Sequence, residues 1–446
     1  ILVRQSDGHA VLKLTYKNHF IRKGKVKIPG LPASFAPEAD VETLEMILVD
    51  EKCRLECVLL YSVFADSDVI ARSAIVRNRG GEALRIEKLA SCLLDVGWEI
   101  EKFDLVSFPG SWARERRFRR TPLSDGVHTL ASACGITSHR MNPAFCVCSR
   151  EATEEHGRVY GMALLYSGDF ASEIELDPFG SIRMTTGINP ACFAWELQSG
   201  EEFHAPEALM IVTDGGFGDM SRSMHDFIRA HVMRSPWKSR PRPVLVNNWE
   251  ATYFDFNGEK LLALAKSASE LGVEMLVLDD GWFGKRDNDR CALGDWVENT
   301  RKLQGGLSLL SKELQKLGMK LGLWFEPEMI SEDSDLFRAH PDWCLQIPGR
   351  EKLMGRRQFV LDMGREEVVE HLFERMRAIL DAAEIAYVKW DCNRYLTEVG
   401  SAVLPPERQM EASHRFVLGT YRLHELLLER YPELLIEGCA GGGGRF

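Results

Sequence analysis

The sequence lacks the features that mark several common classes of protein. Its 446 residues contain 55 Lys and Arg against 66 Asp and Glu, so the formal net charge is -11 and there is no basic excess to neutralise nucleic-acid phosphates. No run of about 18 apolar residues occurs, and no secretory signal opens the chain. The 11 cysteines are odd in number and have no paired zinc spacing. We therefore expect a reduced, cytoplasmic protein without a nucleic-acid or membrane partner.

Motifs for several kinds of enzyme chemistry are also missing. The sequence has no G-x-S-x-G elbow, no H-E-x-x-H pair and no dinucleotide-binding fingerprint. Arginines cluster between Arg114 and Arg120, but we expect them to form a solvated loop rather than an anion site. We expect neither a metal nor an organic cofactor.

The first half of the chain has the pattern of an antiparallel β domain. Apolar or alternating segments recur between turn signals such as Asn78-Arg-Gly-Gly81, and helical periodicity is scarce. The predicted strands are Arg54–Phe64, Val69–Val76, Leu84–Leu94, Arg158–Tyr166, Ala171–Leu176, Ser181–Met184 and Ala208–Thr213. So many strands predict a large β-sandwich, which a helix over Asp219–Met233 closes. The prolines within Ser235–Pro243 indicate a linker, so the predicted domains are residues 1–235 and 236–446.

The second half changes to short strands that alternate with amphipathic helices. The predicted strands are Val244–Asn248, Met275–Asp279, Lys320–Phe325, Ala386–Trp390 and Leu434–Glu437, and the predicted helices are Gly258–Leu271, Arg365–Ala383 and Glu407–Tyr431. This alternation builds a parallel sheet, which fits either a doubly wound sheet or an eight-stranded barrel. Polar and aromatic residues follow nearly every strand. This favours a (β/α)8 TIM barrel, whose chemistry lies at the C-terminal ends of its strands.

The predicted barrel is incomplete. A full barrel takes about 250 residues, whereas about 200 follow the linker, and only Phe359–Asp362 offers an additional short strand. The chain also begins at Ile1 and stops at Phe446 within a glycine-rich loop. We therefore expect a protein truncated at both ends that holds only the first five or so barrel strands.

The strongest local pattern is Tyr387-Val-Lys-Trp-Asp-Cys-Asn-Arg394. Side chains two residues apart in a strand share a face, so Lys389 and Asp391 are expected to point together while Trp390 points away. A cation beside a carboxylate favours the ionised form of that carboxylate. A covalent glycosyl intermediate requires an ionised, oriented carboxylate as its nucleophile. An ordinary ion pair at a strand end is the alternative interpretation.

Two carboxylates end the apolar strand in Leu276-Val-Leu-Asp-Asp-Gly-Trp282. Asp279 and Asp280 are suited to accept hydrogen bonds from vicinal sugar hydroxyls, and the Trp282 ring offers a stacking face. Metal ligation is less well supported, because no His or further acidic residue stands at a supporting position. The remaining alternative is an Asp pair that caps the next loop.

Three further segments place aromatic, acidic or glycine residues after strands. In Leu321-Gly-Leu-Trp-Phe-Glu-Pro-Glu328, Trp324 suits an apolar wall or the core, and Glu326 or Glu328 suits a hydrogen-bond acceptor. The segment Asn248–Phe254 ends its strand in the same style. The closing segment Ile436–Phe446 has consecutive glycines but lacks the Lys-Ser/Thr of a P-loop, so we interpret it as a loop whose backbone approaches a ligand closely.

Together these segments resemble glycoside hydrolase family 36, the bacterial-type α-galactosidases. The ordered motifs that carry the resemblance are Asn247–Phe254, Leu278–Trp282, Trp324–Glu328, Gly355–Asp362, Lys389–Asp391 with Asn393 and Arg394, and Cys439 with its glycines. In the first domain, Gly110–Arg116 and Tyr166–Gly168 resemble segments of the family's N-terminal supersandwich.

The resemblance implies a retaining, double-displacement mechanism with Asp391 as the nucleophile. It also implies that Asp279 and Asp280 bind the far hydroxyls of galactose. The other sugar contacts that it implies are Trp249, Trp324, Arg356, Lys389, Cys439, Gly441 and Gly442, of which the last three would lie near the 2-hydroxyl. Arg357 is a neighbour that could be confused with Arg356.

One residue that this mechanism needs has no counterpart in the chain. The family's acid/base is an Asp in a Ser-Asp-type motif on a later barrel strand, and no such segment precedes Phe446. Retaining chemistry needs two carboxyl groups roughly 5–5.5 Å apart, and Glu326, Glu328 and Glu437 do not match the family acid. We therefore expect the acid/base to lie beyond Phe446, and we expect little or no hydrolysis by the 446-residue chain itself.

The expected function of the complete protein is hydrolysis of terminal α-1,6-linked galactose from oligosaccharides of the melibiose and raffinose type. The alternatives are an α-N-acetylgalactosaminidase, a galactosyl-transferring relative, and a carbohydrate-binding protein without catalysis. The implied partners are α-galactoside oligosaccharides, and the family also suggests a homo-oligomer.

Overall fold

The computed structural model describes residues 1–97 and 102–445, so Phe446, at the end of the glycine-rich segment, lies outside the described residues. The chain divides into two compact units. Unit 1 comprises Ile1–Arg234, Pro405–His414 and Gly443–Phe446, and unit 2 comprises Ser235–Leu404 and Arg415–Gly442. Across the described ranges, the helices include none with both the length and the apolar composition needed to cross a membrane.

Unit 1 consists mainly of β-strands. They are β1 (Leu2–Arg4), β2 (Thr15–Lys23), β3 (Val41–Asp50), β4 (Leu55–Phe64), β5 (Ser67–Asn78), β6 (Leu84–Lys88), β7 (Ala90–Val96), β8 (Phe103–Pro109), β9 (Arg119–Pro122), β10 (Gly126–Ala131), β11 (Met141–Ser149), β12 (Val159–Leu165), β13 (Phe170–Leu176), β14 (Ile182–Ile188), β15 (Trp195–Leu197), β16 (Glu202–His204) and β17 (Glu207–Thr213). Its helical elements are helix α1 (Gly216–Phe227), a π-helical turn (Ile228–Val232) and the 3-10 turns Glu38–Asp40, Pro190–Cys192 and Pro406–Glu411.

The described strands of unit 1 form three antiparallel sheets. The largest has ten strands, in the order β2-β3-β4-β5-β17-β12-β11-β8-β9, with β16 paired to β5. The other two have the orders β10-β13-β14-β7 and β1-β6-β15. The four-stranded sheet packs on the large one, because β7 contacts β5 and β17, β13 contacts β11, and β14 contacts β12. Unit 1 is therefore a β-sandwich, as the strand pattern predicted.

Two details of unit 1 differ from the prediction. Leu84–Leu94 is not one strand, because the chain breaks at Leu89 and its halves, β6 and β7, belong to different sheets. Buried and partly exposed residues alternate along the first part of β6, whereas the consecutive residues Ser91 and Cys92 of β7 are both buried. The alternation of one strand therefore does not continue into the next. The helix predicted over Asp219–Met233 begins earlier, as α1, and its last turn is π-helical.

Unit 2 contains short strands separated by helices. Its strands are β18 (Leu245–Asn247), β19 (Met275–Leu278), β20 (Lys320–Phe325), β21 (Met329–Ile330), β22 (Phe359–Val360), β23 (Ile385–Trp390) and β24 (Leu435–Gly438). Its helices are α2 (Trp249–Thr252), α3 (Gly258–Glu270), α4 (Gly306–Lys316), α5 (Asp335–Ala339), α6 (Glu366–Ala382) and α7 (Ala412–Arg430, in unit 2 from Arg415 onward), with 3-10 turns at Pro236–Lys238 and Pro341–Trp343.

The parallel sheet of unit 2 agrees with a barrel and not with the doubly wound alternative. Its order β18-β19-β20-β23-β24 follows the chain without reversal. A doubly wound sheet reverses its strand order at a switch point, whereas a barrel does not. Helices α3, α4, α6 and α7 each connect one of these strands to the next. Unit 2 is therefore an incomplete (β/α)8 barrel of five parallel strands.

One prediction about unit 2 was wrong, and one of its helices was not predicted. Phe359–Asp362 adds no strand to the barrel, because Phe359–Val360 pairs antiparallel with Met329–Ile330 in a separate two-stranded sheet. Helix α4 was missed because Gly305, at its N-terminus, has a φ of +79° and provides no side-chain cap. Glycines at that point suggest a loop, although buried leucines at Leu307, Leu310 and Leu314 have helical spacing.

The register of the parallel strands brings their C-terminal ends to one edge of the sheet. Asn247 of β18 pairs with Val277 of β19, which lies two residues before Asp279. Trp324 of β20 pairs with Lys389 of β23. The residues that end or follow these strands therefore meet at that edge, which is where barrels bind ligands.

Candidate active site

Asp391 directly follows β23, and its carboxylate accepts hydrogen bonds from four nitrogen donors. Oδ2 accepts from the indole Nε1 of Trp324 at 3.0 Å and from Nδ2 of Asn393 at 2.7 Å. Oδ1 accepts from the backbone amide of Cys392 at 2.9 Å and from that of Gly441 at 3.2 Å. Asp391 is only 5% exposed. Donors from the ends of β20, β23 and β24 therefore fix the direction of both carboxylate oxygens.

The pKa of Asp391 lies below its ordinary value. Burial acts to raise this pKa, but the hydrogen bond from Trp324, the charge of Lys389 and the hydrogen bond from Asn393 outweigh burial. The carboxylate is therefore ionised at neutral pH. An ionised carboxylate with oriented oxygens is the form that attacks an anomeric carbon.

Lys389 lies two residues before Asp391, and it forms an ion pair with Asp279. Lys389 Nζ stands 2.9 Å from Asp279 Oδ2, and Nδ2 of Asn247 donates to the same oxygen at 2.6 Å. The lysine therefore acts on Asp391 through space while it binds Asp279 directly. Trp390, between them, faces the other way: its ring stacks on His424 of α7 with centroids 3.8 Å apart.

Asp280 forms a buried two-point ion pair with Arg286. Nε and Nη2 of Arg286 each lie 2.9 Å from one Asp280 oxygen. Arg286 is 2% exposed and Asp280 is 7% exposed. Burial raises the pKa of Asp280, and the guanidinium opposes that rise. Nη1 of Arg286 also donates to the carbonyl of Cys291. Asp280 is thus held by a residue from the loop that follows it.

Trp324 is held by neighbouring aromatic residues. The Phe283 ring is nearly parallel to that of Trp324, with centroids 6.1 Å apart. Trp282 donates its indole N–H to the Trp324 carbonyl at 2.9 Å. Trp282 itself is fully buried, so the interpretation of its ring as a stacking face for a sugar was wrong. The sequence could not distinguish an exposed indole from one that the following loop covers.

Trp249 starts helix α2 and is linked to the same edge through Asn247. The backbone amide of Trp249 donates to Oδ1 of Asn247 at 2.7 Å, while Nδ2 of Asn247 binds Asp279. The half-buried Trp249 ring packs edge-on against Tyr253 and Phe254, with centroid distances of 5.2 and 5.1 Å. Asn247 thus connects this aromatic group to the Asp279–Lys389 pair.

The glycine-rich segment after β24 approaches Asp391 with its backbone. The amide of Gly441 donates to Asp391, and the Cys439 thiol also forms a hydrogen bond with that carboxylate. The amide of Gly442 lies 3.4 Å from the Cys439 sulfur. Gly441 and Gly442 have φ angles of +56° and +95°, a conformation that favours glycine. Burial raises the pKa of Cys439 to about 12, so the group is a neutral thiol.

Arg356 and Arg357 form the turn of a tight hairpin and point to different partners. Gly355 and Gln358 exchange backbone hydrogen bonds at 3.2 and 3.0 Å, while the two arginines between them have φ angles of +48° and +61°. Arg356 Nη1 lies 3.3 Å from Oδ1 of Asn393. Arg357 instead pairs with Asp289 at 2.8 Å. The hairpin therefore directs Arg356, and not Arg357, towards the residues around Asp391.

Glu326 is a buried carboxyl group beside this hairpin, and the sequence assigned it no definite role. It is 1% exposed, and its Oε1 accepts hydrogen bonds from Nε2 of Gln358 at 2.9 Å and from the backbone amide of Asn393. Burial and the nearby charge of Asp391 raise the pKa of Glu326 to about 8. Glu326 is therefore protonated at neutral pH.

The other two glutamates considered as acids have different surroundings. Glu328 is fully buried and accepts hydrogen bonds from the indole of Trp390 at 2.7 Å and from Thr420 at 3.2 Å. Glu437 is exposed at the end of β24 and bonds to the hydroxyl of Tyr387. Glu328 thus lies on the α7 side of the sheet.

The structure brings most of the predicted site residues to one edge of the barrel sheet, in two hydrogen-bonded groups. Trp324, Arg356, Cys439 and Gly441 contact Asp391 or its direct partners, and Gly442 is joined through Cys439. Lys389 binds Asp279, which Asn247 links to Trp249, and acts on Asp391 through its charge. Asp280 follows Asp279 directly and is held by Arg286. Asn247, Arg286, Gln358 and Asn393 were not predicted as site residues, and Glu326 was considered only as a hydrogen-bond acceptor or as an acid. Position at the end of a strand or shortly after it was an available signal for Asn247 and Asn393, whereas Arg286 and Gln358 lie in long loops.

Comparison with known proteins assigns both halves of the chain. Residues 1–198 match the glycosyl hydrolase family 36 N-terminal domain, and residues 202–446 match the melibiase domain. The chain is 47% identical over 445 residues to α-galactosidase AgaA of Geobacillus stearothermophilus and 46% identical over 446 residues to α-galactosidase Mel36A of Lactobacillus acidophilus. In each case the match covers 100% of this chain and 61% of the relative.

Solved structures give the same result. The crystal structure of AgaA superposes with a TM-score of 0.98 at 47% identity, covering 100% of this chain and 62% of that one. The galactosidase domain of the α-galactosidase–sucrose kinase AgaSK superposes with a TM-score of 0.96 at 43% identity, covering 100% of this chain and 60% of the other. The described chain thus spans about three fifths of the length of these relatives. From the two domain matches and this likeness, the chain belongs to glycoside hydrolase family 36.

Proposed function

We propose that this chain carries the nucleophile and most of the galactose-binding residues of a retaining α-galactosidase. The observation that carries the proposal is the environment of Asp391, an ionised carboxylate whose two oxygens are oriented by four donors at the C-terminal edge of a barrel sheet. Asp391 attacks the anomeric carbon, the bond to the leaving oxygen breaks, and a covalent galactosyl ester forms. Water then releases galactose with net retention.

The substrates that we propose are oligosaccharides with a terminal α-1,6-linked galactose. Variants of the relative AgaA have been solved in complex with raffinose and with stachyose. In this chain, Asp279 and Asp280 present acceptor oxygens for ring hydroxyls, and each carboxylate is held by an ion pair, with Lys389 and Arg286 respectively. The other proposed contacts are Trp249, Trp324, Arg356, Lys389, Cys439, Gly441 and Gly442.

Turnover also needs a general acid/base, and none of the described carboxyl groups is proposed for that role. Glu326 has a proton to give, but its Oε1 is bound by Gln358 and by the Asn393 amide within the protein. Glu328 faces α7, and Glu437 bonds to Tyr387. We therefore expect the 446-residue chain to hydrolyse unactivated oligosaccharides little or not at all.

Three broader properties belong to the same proposal. We propose that residues 1–235 form the sandwich domain and that residues 236–446 form the catalytic domain. We also propose a cytoplasmic location, which the scattered cysteines support. Finally, we propose that the protein assembles as a homo-oligomer, by analogy with its family.

A substrate with a good leaving group tests Asp391 without the acid/base. Fluoride leaves α-galactosyl fluoride without protonation, so Asp391 can form its ester while the C–F bond breaks and fluoride departs with the electron pair. We expect a burst of one equivalent of fluoride and a peptide containing Asp391 that is heavier by one galactosyl residue. Azide is expected to accelerate turnover and to yield α-galactosyl azide, the product of net retention.

Matched controls separate this function from its alternatives. Asp391→Asn should form no adduct, Glu328→Gln should still form it, and α-glucosyl fluoride should react far more slowly. An adduct on another residue, or β-galactosyl azide as product, would contradict the mechanism. Faster labelling by the 2-acetamido analogue would favour an α-N-acetylgalactosaminidase. Melibiose binding without any adduct would favour a non-catalytic carbohydrate-binding protein.

A further inference from the structure

Glu326 contacts the segment after β23 whose Asn393 side chain orients the nucleophile, Asp391. Its Oε1 receives the backbone amide of Asn393, and the side chain of Asn393 in turn donates to Asp391 Oδ2 at 2.7 Å. The same Oε1 accepts the Gln358 amide at 2.9 Å. Glu326 is thus linked to Asp391 through Asn393 by two successive hydrogen bonds. It also connects the 355–358 hairpin, through Gln358, to the loop after β23.

We propose, on the basis of the function above, that Glu326 is a positioning residue that holds the Asn393 loop against Asp391 and does so as a neutral carboxylic acid. No catalytic contact with the sugar is assigned to it. Its role is to keep Asn393 where the side chain of that residue can orient the nucleophile. This role goes beyond the sugar contacts and the nucleophile considered so far.

The charges around Glu326 explain why its neutral form belongs to this arrangement. The charged groups that face it are Asp391 from the end of β23 and Arg286 from the loop after β19. Arg286 is already engaged by both oxygens of Asp280. Gln358 and Asn393 contribute neutral amides only. A second negative charge in this buried position would face the ionised nucleophile without a cation of its own.

Ionisation of Glu326 is therefore expected to impair Asp391. With a pKa of about 8, the neutral form falls to about half at pH 8 and to about one tenth at pH 9. Lys389 and Cys439 do not titrate in that interval, because the pKa of Lys389 is raised above its ordinary value by Asp279 despite burial, and that of Cys439 is about 12. Galactosylation of Asp391 should then decline above pH 8.

The test measures the burst rate of fluoride release from α-galactosyl fluoride between pH 6 and pH 9.5. The chain as it stands should lose about tenfold in rate per pH unit above pH 8. Glu326→Gln keeps an acceptor oxygen for Asn393 and Gln358 but cannot ionise, so it should lose this alkaline decline, with a rate within about tenfold of the unaltered chain at pH 6.5. Glu326→Ala should react more than tenfold more slowly than the unaltered chain at pH 6.5.

Glu328→Gln is the matched control, because it removes another buried carboxyl group from the same segment but leaves Glu326 in place. It should keep the alkaline decline. The proposal is overturned if Glu326→Gln declines like the unaltered chain, or if Glu326→Ala is galactosylated at the unaltered rate. If the unaltered chain forms no adduct at all, the proposed function fails instead. The protonation of Glu326 is then tested without any reaction, by comparing how the unfolding free energies of the unaltered chain and of Glu326→Gln depend on pH. If the difference between the two proteins does not change with pH, this inference is overturned.

Discussion

The substitution Glu326→Gln should change how the stability of the barrel unit depends on pH. Burial and the charge of Asp391 raise the pKa of Glu326 from 4.5 to about 8. A carboxyl group whose pKa is raised in the folded state contributes stability that is complete below the unfolded-state pKa and is lost as pH rises towards the folded-state pKa. Each pH unit in that window is worth 1.36 kcal/mol. From pH 5 to pH 7.5 the unaltered protein should therefore lose about 3 kcal/mol that the glutamine variant keeps.

Urea unfolding of both proteins, followed by tryptophan fluorescence, measures this difference. Among the described residues the buried tryptophans all belong to unit 2, so their signal reports on the unit that contains Glu326; they are Trp237, Trp282, Trp296, Trp324, Trp343 and Trp390. Every pH-independent consequence of the substitution cancels when the difference between the two proteins is followed from pH 5 to pH 7.5. A difference that stays constant within about 0.5 kcal/mol over this range would show that Glu326 is not held neutral, and would refute the reasoning.

Three other substitutions test separate parts of the structure. Arg286→Met should cost about 3–5 kcal/mol of unfolding free energy, because it leaves its carboxylate partner buried without a cation; an unfolding midpoint equal to the unaltered one would contradict this. Trp324→Phe removes the largest influence that lowers the pKa of Asp391, so galactosylation should slow about tenfold or more and its acidic limb should move to higher pH; an unchanged profile argues against it. Gly419→Ala places a Cβ 1.7 Å from a backbone carbonyl oxygen and should destabilise unit 2 by about 3 kcal/mol, whereas Gly258→Ala, where a Cβ meets nothing within 4 Å, should not; equal stabilities of the two variants would contradict the packing argument.

The sequence could predict the architecture of unit 2 because its signals are local. Each barrel strand is an apolar run that ends in polar residues, as in Met275–Leu278 followed by Asp279 and Asp280. Parallel strands bring such ends to one edge, so a local pattern repeated along the chain predicts a common site. Asp391 and Lys389 were found for the same reason, because alternation within one strand determines which side chains share a face.

The sequence could not predict the contacts that long loops make. Arg286 lies in the loop after β19 and Gln358 in the hairpin between β21 and α6, and no periodicity says which way either side chain turns. The hairpin itself depends on Arg356 and Arg357 at positive φ, where glycine or asparagine would have indicated a turn. The misassigned Trp282 has the same cause, since the loop that buries it is irregular. Tertiary packing, and not local propensity, decides these positions.

The charges of the cluster suggest why one of its acids must stay neutral. Within the described residues, the half-buried Lys389 and the buried Arg286 are each bound to one carboxylate of the Asp279–Asp280 pair. Asp391 is stabilised as an anion by four hydrogen bonds. Glu326 then has no cation to pair with, and two unpaired anions cannot share so small a buried volume at low cost. The charge stays on Asp391 because the hydrogen bond from Trp324, the charge of Lys389 and the hydrogen bond from Asn393 lower its pKa. Glu326 accepts only two hydrogen bonds, and burial and the charge of Asp391 raise its pKa. The difference in pKa between these two acids therefore follows from the donors and charges around each one, and it assigns the negative charge to the carboxylate that is proposed to attack.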